Sequence, residues 1–184
     1  GNRELFRDLW LYDSPYDWTP YPIIHINFGL IKVGTAKELE HRLHLMLNDL
    51  AELHKISLPT ENYQYRFQKL IEQLAQRTPN VILVDEYDKP ILDTIETLSE
   101  AEKIRDLLKG FYGVIKAMDR YLRFVLLTGI SKFSKVGVFS ELNHLRDITL
   151  EPKFAAMLGI TQREVEDNFR AYWPRLLQTS DHSA

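Results

Sequence analysis

Apolar positions recur along the chain with two different periods. Residues 22–28, Pro-Ile-Ile-His-Ile-Asn-Phe, form a short β-branched run closed by Pro22 and Gly29, which predicts a strand. Val81-Ile-Leu-Val84 and Phe124-Val-Leu-Leu127 are apolar without alternation, the pattern of strands buried on both faces. Elsewhere the spacing becomes three and four. Leu39, Leu43, Met46, Leu50 and Leu53 make one helical stripe, and Tyr63, Phe67, Leu70, Ile71 and Leu74 a second. Ile104, Leu107, Leu108, Phe111, Ile115 and Met118 make a third, with Lys109 and Lys116 turned outward. Thr35 with Glu38, Ser99 with Glu102, and Thr161 with Glu164 have the spacing of capping boxes at helix starts. Residues 146–150 read as one more short strand. The order strand, helices, strand, helix, strand predicts an α/β fold, a mostly parallel sheet in a three-layer α/β/α arrangement.

The first 21 residues do not fit either period. Phe6, Trp10, Tyr12, Tyr16, Trp18 and Tyr21 are interrupted by Pro15 and Pro20, which forbid a regular helix or a central strand. These aromatics either pack as a covering loop or expose an adhesive patch. Composition narrows the function without naming it. Apolar residues at 45% and charged residues at 27% describe an ordinary globular domain. A net charge of −3 leaves no basic footprint for general nucleic-acid binding. The absence of cysteine from the 184 residues excludes disulfides, thiolate zinc sites and thiol catalysis within them. No apolar run reaches membrane-spanning length and no signal-peptide pattern opens the sequence, so a cytoplasmic location is expected.

The candidate chemistry sits at strand ends. Ligands of open α/β sheets bind outside the carboxyl ends of the strands. Val81–Val84 runs directly into Asp85 and Glu86, and Phe124–Leu127 into Thr128. An apolar strand ending in two acids has the form of a Walker B segment. The first carboxylate can hold Mg²⁺ through oxygen, and the second can orient and deprotonate an attacking water. A hydroxyl on the neighbouring strand can bond that water or the phosphate. The pattern alone serves a turn as well as a metal site, since Asp88-Lys89-Pro90 is ordinary turn sequence. The complementary phosphate loop, G-x-x-x-x-G-K-[ST], does not occur in these residues. Gly29-Leu-Ile-Lys-Val-Gly34-Thr35 approaches it but lacks the lysine after the second glycine, so it is read as a loop and not as a phosphate cradle.

Several strings carry a resemblance. VDEYDKPIL (84–92) and LKGFYGVIKAMDRYLRFVLLTGISKFSKVGVFSELNHLRDITL (108–150), with FRDLWLYD near the start, YPIIHINF (21–28) and LGITQREV near the end, resemble the AAA-ATPase-like family of prokaryotic proteins. That family is a P-loop NTPase relative with Walker A, Walker B and a polar sensor position. The resemblance implies Asp85 as the magnesium-binding acid, Glu86 as the catalytic glutamate, and Thr128 as the sensor. It sets Ser131 beside Thr128 as a nucleotide-site neighbour, and implies ATP and Mg²⁺ as cofactors. Asn27 stands where the family more often has an acid. Family members usually carry a C-terminal nuclease-like domain of the PD-(D/E)XK type, the implied fused partner.

By the same resemblance the Walker A strand and lysine lie upstream of the counterpart of Phe6. The chain is therefore read as a fragment of a longer protein: residues 1–150 a partial NTPase core, residues 151–184 a helical segment opening a lid or linker. The missing strand would lie beside the sensor strand, so residues 124–128 should form an unpaired edge, closed by residues 146–150 or by self-association between chains. The expected activity is Mg-ATP hydrolysis in the full-length protein and none in these residues alone. The alternative is a non-catalytic interaction or regulatory module with a vestigial site. His41 and His44 have a metal-compatible spacing but read as a solvated helix face, and His25 as a packed or edge residue. Lys132 and Lys135 read as a solvated loop. Arg105 and Arg123 read as surface or ion-pair residues and not as charge-stabilising fingers.

Overall fold

The computed structural model describes residues 2–130, 145–157 and 159–172. The chain divides into two units, Gly1–His144 and Leu145–Ala184. In the first, β1 (Ile23–Asn27), β2 (Asn80–Asp85) and β3 (Leu122–Leu127) pair in parallel in the order β1-β2-β3. Helices α1 (Ala36–Leu53), α2 (Tyr63–Leu74), the short α3 (Lys89–Leu92) and α4 (Leu98–Ala117) fill the connections. Parallel neighbours need such crossovers, so this order follows from the alternation of strand and helix in the sequence. The expected α/β fold with an incomplete parallel sheet is what the chain adopts.

One face of the sheet is thoroughly covered. Ile24 and Ile26 of β1 stand in register with Ile82 and Val84 of β2, and all four are at most 1% exposed. Asn80 belongs to the same face and its Nδ2 donates to the Ile71 carbonyl of α2 at 2.8 Å, which places α2 over that side. Phe111 of α4 is the centre of the packing. Its ring stacks on Phe67 at 4.5 Å between centroids, meets Phe28 at 6.4 Å and Tyr63 at 6.3 Å, and touches its neighbour Tyr112. The opposite face is half-open, with Ile23 and Phe124 each about half exposed. Burial along β2 therefore alternates, where the unbroken apolar run predicts burial on both faces. Of three expected layers, the described residues supply the sheet and one fully covered face.

Local details differ from expectation in ways that have simple causes. The α1 stripe is Leu39, Leu43, Leu47 and Leu50, with Met46 half-buried and Leu53 exposed, because Leu53 ends the helix beyond the reach of the core. Only Thr161 with Glu164 forms a complete capping box, at the start of α5 (Gln162–Phe169) in the second unit. At α1 the Thr35 hydroxyl accepts from the Glu38 amide, but Glu38 reaches one residue further and accepts from Gly34. At α4 the helix begins at Leu98 with Thr97 in the N-cap position, so Ser99 already lies inside the first turn and cannot cap it. Glu100 instead accepts from the Ala36 amide and joins the starts of α4 and α1. Residues 146–150 are not a strand. Asp147 accepts from the Thr149 amide and Arg146 pairs with Glu151, a side-chain-stapled turn. Among the described residues β3 pairs with β2 only, and no helix is long and apolar enough to cross a membrane.

The opening segment takes the second of its two expected forms in part. Phe6, Trp18 and Tyr16 cluster with centroids 5.2 Å apart, whereas Trp10 is 83% exposed. Between α1 and α2 lies a polar insertion that periodicity does not announce. Arg66, 8% exposed, donates from Nη1 to His44 Nδ1 at 2.7 Å and from Nη2 to Asn48 Oδ1. Its Nε is buried without a hydrogen-bond partner. His44 must accept through Nδ1, which makes the neutral ring the form that fits. Burial, and then the adjacent guanidinium, hold its pKa below the usual histidine range.

Two outcomes follow from this packing. Phe111→Ala removes a ring shared by four aromatic neighbours and should cost about 3–5 kcal/mol in urea denaturation. His44 favours its neutral form in the folded state, so its contribution is complete above about pH 6.5 and declines as pH falls below that value. The urea midpoint of the wild type should therefore drop between about pH 7.5 and about pH 5.5 by more than that of His44→Gln, which keeps an acceptor but no titration.

Candidate functional site

The parallel register carries the ends of all three strands to one rim. Asn27 pairs with Asp85 across β1 and β2, and Val84 with Leu127 across β2 and β3. Just beyond β3, the Thr128 amide donates to the Val84 carbonyl at 2.9 Å, and its carbonyl accepts from the Tyr87 amide at 3.0 Å. These two backbone bonds hold Thr128 beside Asp85, and the Thr128 hydroxyl donates to Asp85 Oδ1. A hydrogen bond to an ionised carboxylate is about twice as strong as a neutral one. Asp85 is half-buried at the tip of the central strand.

Glu86 is exposed and adopts φ of 50°. That is the left-handed region, which costs a side-chain-bearing residue about 1–2 kcal/mol. Its carboxylate lies over Gly29, the second residue after β1. A Cβ at Gly29 would stand 2.9 Å from Glu86 Oε1 and 2.9 Å from Asn27 Oδ1, so a side chain there would push these side-chain ends aside. Asn27 Oδ1 accepts from the Gly29 amide at 2.8 Å and caps the short turn Phe28–Leu30. Asn27, Asp85, Glu86 and Thr128 are thus brought together. Ser131, Lys132 and Lys135 lie outside the described residues.

The residues after Glu86 are not the surface turn that Asp-Lys-Pro suggests. Tyr87 is 3% and Asp88 1% exposed. The Tyr112 hydroxyl of α4 donates to the Tyr87 carbonyl at 3.0 Å, and Asp88 Oδ2 accepts from the Ile130 amide at 3.1 Å. Tyr112 is wholly enclosed, and burial raises its pKa well above the ordinary tyrosine range. The signal available in the sequence was Gly129, directly after Thr128, where a Cβ would stand 2.5 Å from Tyr87 and 2.6 Å from Asp88.

The remaining candidates fall elsewhere. In the loop between Gly29 and Thr35, the Gly29 and Gly34 amides are already bonded to Asn27 and Glu38. Those donors are not turned to a phosphate. His25 is exposed on the half-open face of β1, and His44 is engaged by Arg66. Arg105 lies 3.5 Å from Asp106, and Arg123 sits over the Tyr21 ring. Among the described residues no group of three His, Cys, Asp or Glu side chains could enclose a metal. A lone rim carboxylate suits Mg²⁺, which keeps several waters and takes one or two protein carboxylates alongside phosphate oxygens. Asp85 fits that demand.

The sequence profile described as AAA-ATPase-like, predicted AAA-ATPase, matches residues 1–139. A protein of Azotobacter chroococcum mcd 1, described as an uncharacterized protein in the vnfD 5' region, is 39% identical over 179 residues. The alignment covers 96% of this chain and 34% of that protein, so the chain spans about a third of its relative. No solved structure matches.

The left-handed Glu86 gives a direct test of the local geometry. Glu86→Gly should raise stability by about 1 kcal/mol in chemical denaturation, because glycine enters that region without the steric penalty. Glu86→Ala, which keeps the Cβ, should bring no such gain.

Proposed function

The chain belongs to the AAA-ATPase-like family, and from that premise we propose that the rim formed by Asp85, Glu86 and Thr128 is the metal- and water-handling half of a Mg-ATP hydrolysis site. The observation that carries this reading is the Thr128 hydroxyl bonded to Asp85 at the carboxyl end of the central strand. It couples the two strands on which a Walker B acid and a sensor hydroxyl would stand.

Each residue has a definable task in this reading. Asp85 offers a carboxylate oxygen to the metal while Thr128 fixes the orientation of the group. Glu86, exposed and with its carboxylate close to Gly29, accepts the proton of the water that attacks the γ-phosphorus, and ADP is the leaving group. Mg²⁺ when bound neutralises charge on the phosphate oxygens. The glycine-rich loop and lysine that cradle the phosphates belong, in this proposal, to the portion of the whole protein outside these 184 residues. A fused nuclease-like domain, and pairing of another strand or chain along the edge of β3 that has no partner strand among the described residues, complete the proposal and rest on the family resemblance.

The test uses the full-length protein. Glu86→Gln should retain ATP binding and lower Mg²⁺-dependent phosphate release by about 10²–10⁴-fold, the usual worth of a general base. Asp85→Asn should raise the Mg²⁺ concentration needed for half-maximal rate. Turnover unchanged in Glu86→Gln would overturn the assignment, and wild-type binding without turnover would favour a non-catalytic regulatory module.

A further inference from the structure

Asp88 is neither in the metal-and-water pair nor on the surface, yet it is the most enclosed acid among the described residues at 1% exposure. Burying a carboxylate is costly unless hydrogen bonds compensate, so such a group ordinarily fixes something in place. Here one fixed element is visible. Asp88 Oδ2 accepts from the Ile130 amide at 3.1 Å, two residues beyond Thr128 and 42 residues away along the chain. The segment 128–130 is held at both ends. Backbone bonds tie Thr128 to Val84 and Tyr87, and the Asp88 carboxylate ties Ile130. Between them Gly129 lies so close to Tyr87 and Asp88 that a Cβ would approach to 2.5 and 2.6 Å. Tyr112 supports this platform from α4 through the Tyr87 carbonyl.

We propose that Asp88 is a positioning residue that clamps the loop after β3 onto the loop after β2 and so sets the direction of the Thr128 hydroxyl toward Asp85. The clamp works through backbone. The Ile130 bond adds a third tie to the two backbone bonds at Thr128, so the segment is fixed at both of its ends. Loss of the carboxylate would leave Asp85 in place on β2 and release its hydroxyl partner. The proposal rests on the ATPase reading for its kinetic consequence and not for its structural one.

The experiment has two arms on the full-length protein. Amide hydrogen exchange of residues 128–130 is compared in wild type, Asp88→Ala and Asp88→Asn, with exchange in α2 as the control for folding. Asp88→Ala should lose protection at 128–130 and keep it in α2. Asp88→Asn, which retains a carbonyl acceptor, should restore it. In steady-state ATPase assays Asp88→Ala should lower kcat by about 10- to 100-fold, the usual effect of a residue that orients a metal-site ligand. KM for ATP should change by less than about threefold, since the phosphate contacts are untouched. Should Asp88→Ala fail to fold, Gly129→Ala, which pushes the same loop off its platform, should produce the same loss of protection and the same kcat effect. Unchanged exchange at 128–130 in folded Asp88→Ala or Gly129→Ala overturns the clamp whatever the enzyme does. Absence of ATPase in the wild type, with protection lost as stated, overturns the ATPase reading and leaves the clamp standing.

Discussion

The position of β2 between two parallel neighbours is the constraint on which the rest of the molecule depends. A central parallel strand can be apolar through its length because helices return over it, and its polar residues are driven to its end. Parallel pairing then brings every neighbour's end to the same rim, where the ladder and the Val84–Thr128–Tyr87 bonds set Asn27, Asp85 and Thr128 side by side. An antiparallel β3 would have carried Thr128 to the opposite end of the sheet. Chain direction, more than any single side chain, makes a site possible here.

Much of this was legible because the strongest signals in the sequence are also the strongest physical terms. The three apolar runs form the sheet, the helical stripes cover one of its faces, and Phe111 of the third stripe lies in the core. The features that periodicity does not carry are decided by neighbours distant in sequence. The acid that serves the start of α1 comes from Glu100, 64 residues on, while Glu38 turns back to Gly34. Arg66 is buried because His44 and Asn48 happen to face it from the next helix. The unbroken run in β2 gave no hint that one face would be half-open, since an apolar residue says only that burial is favourable, not that it is available.

The candidate site divides in the same way. Asp85, Glu86 and Thr128 could be picked out from residue type and placement after apolar strands. The turn-like Asp-Lys-Pro string concealed the depth of Asp88, because the same residues suit a solvent-exposed corner and a buried brace. Gly129 held the missing information, in that a glycine needed for a close approach marks the place where two backbones meet.

The left-handed step at Glu86 has a consequence for how the two adjacent acids are governed. Consecutive residues of an extended strand point to opposite sides of the sheet. Here the chain turns at Glu86, and the pair is parted sideways: Asp85 leans to the segment that follows β3, Glu86 to the segment that follows β1. Neighbouring carboxylates in the sequence thus answer to different parts of the fold. A shift of the turn at Gly29 would bear most directly on the second acid, and a shift of Thr128 on the first.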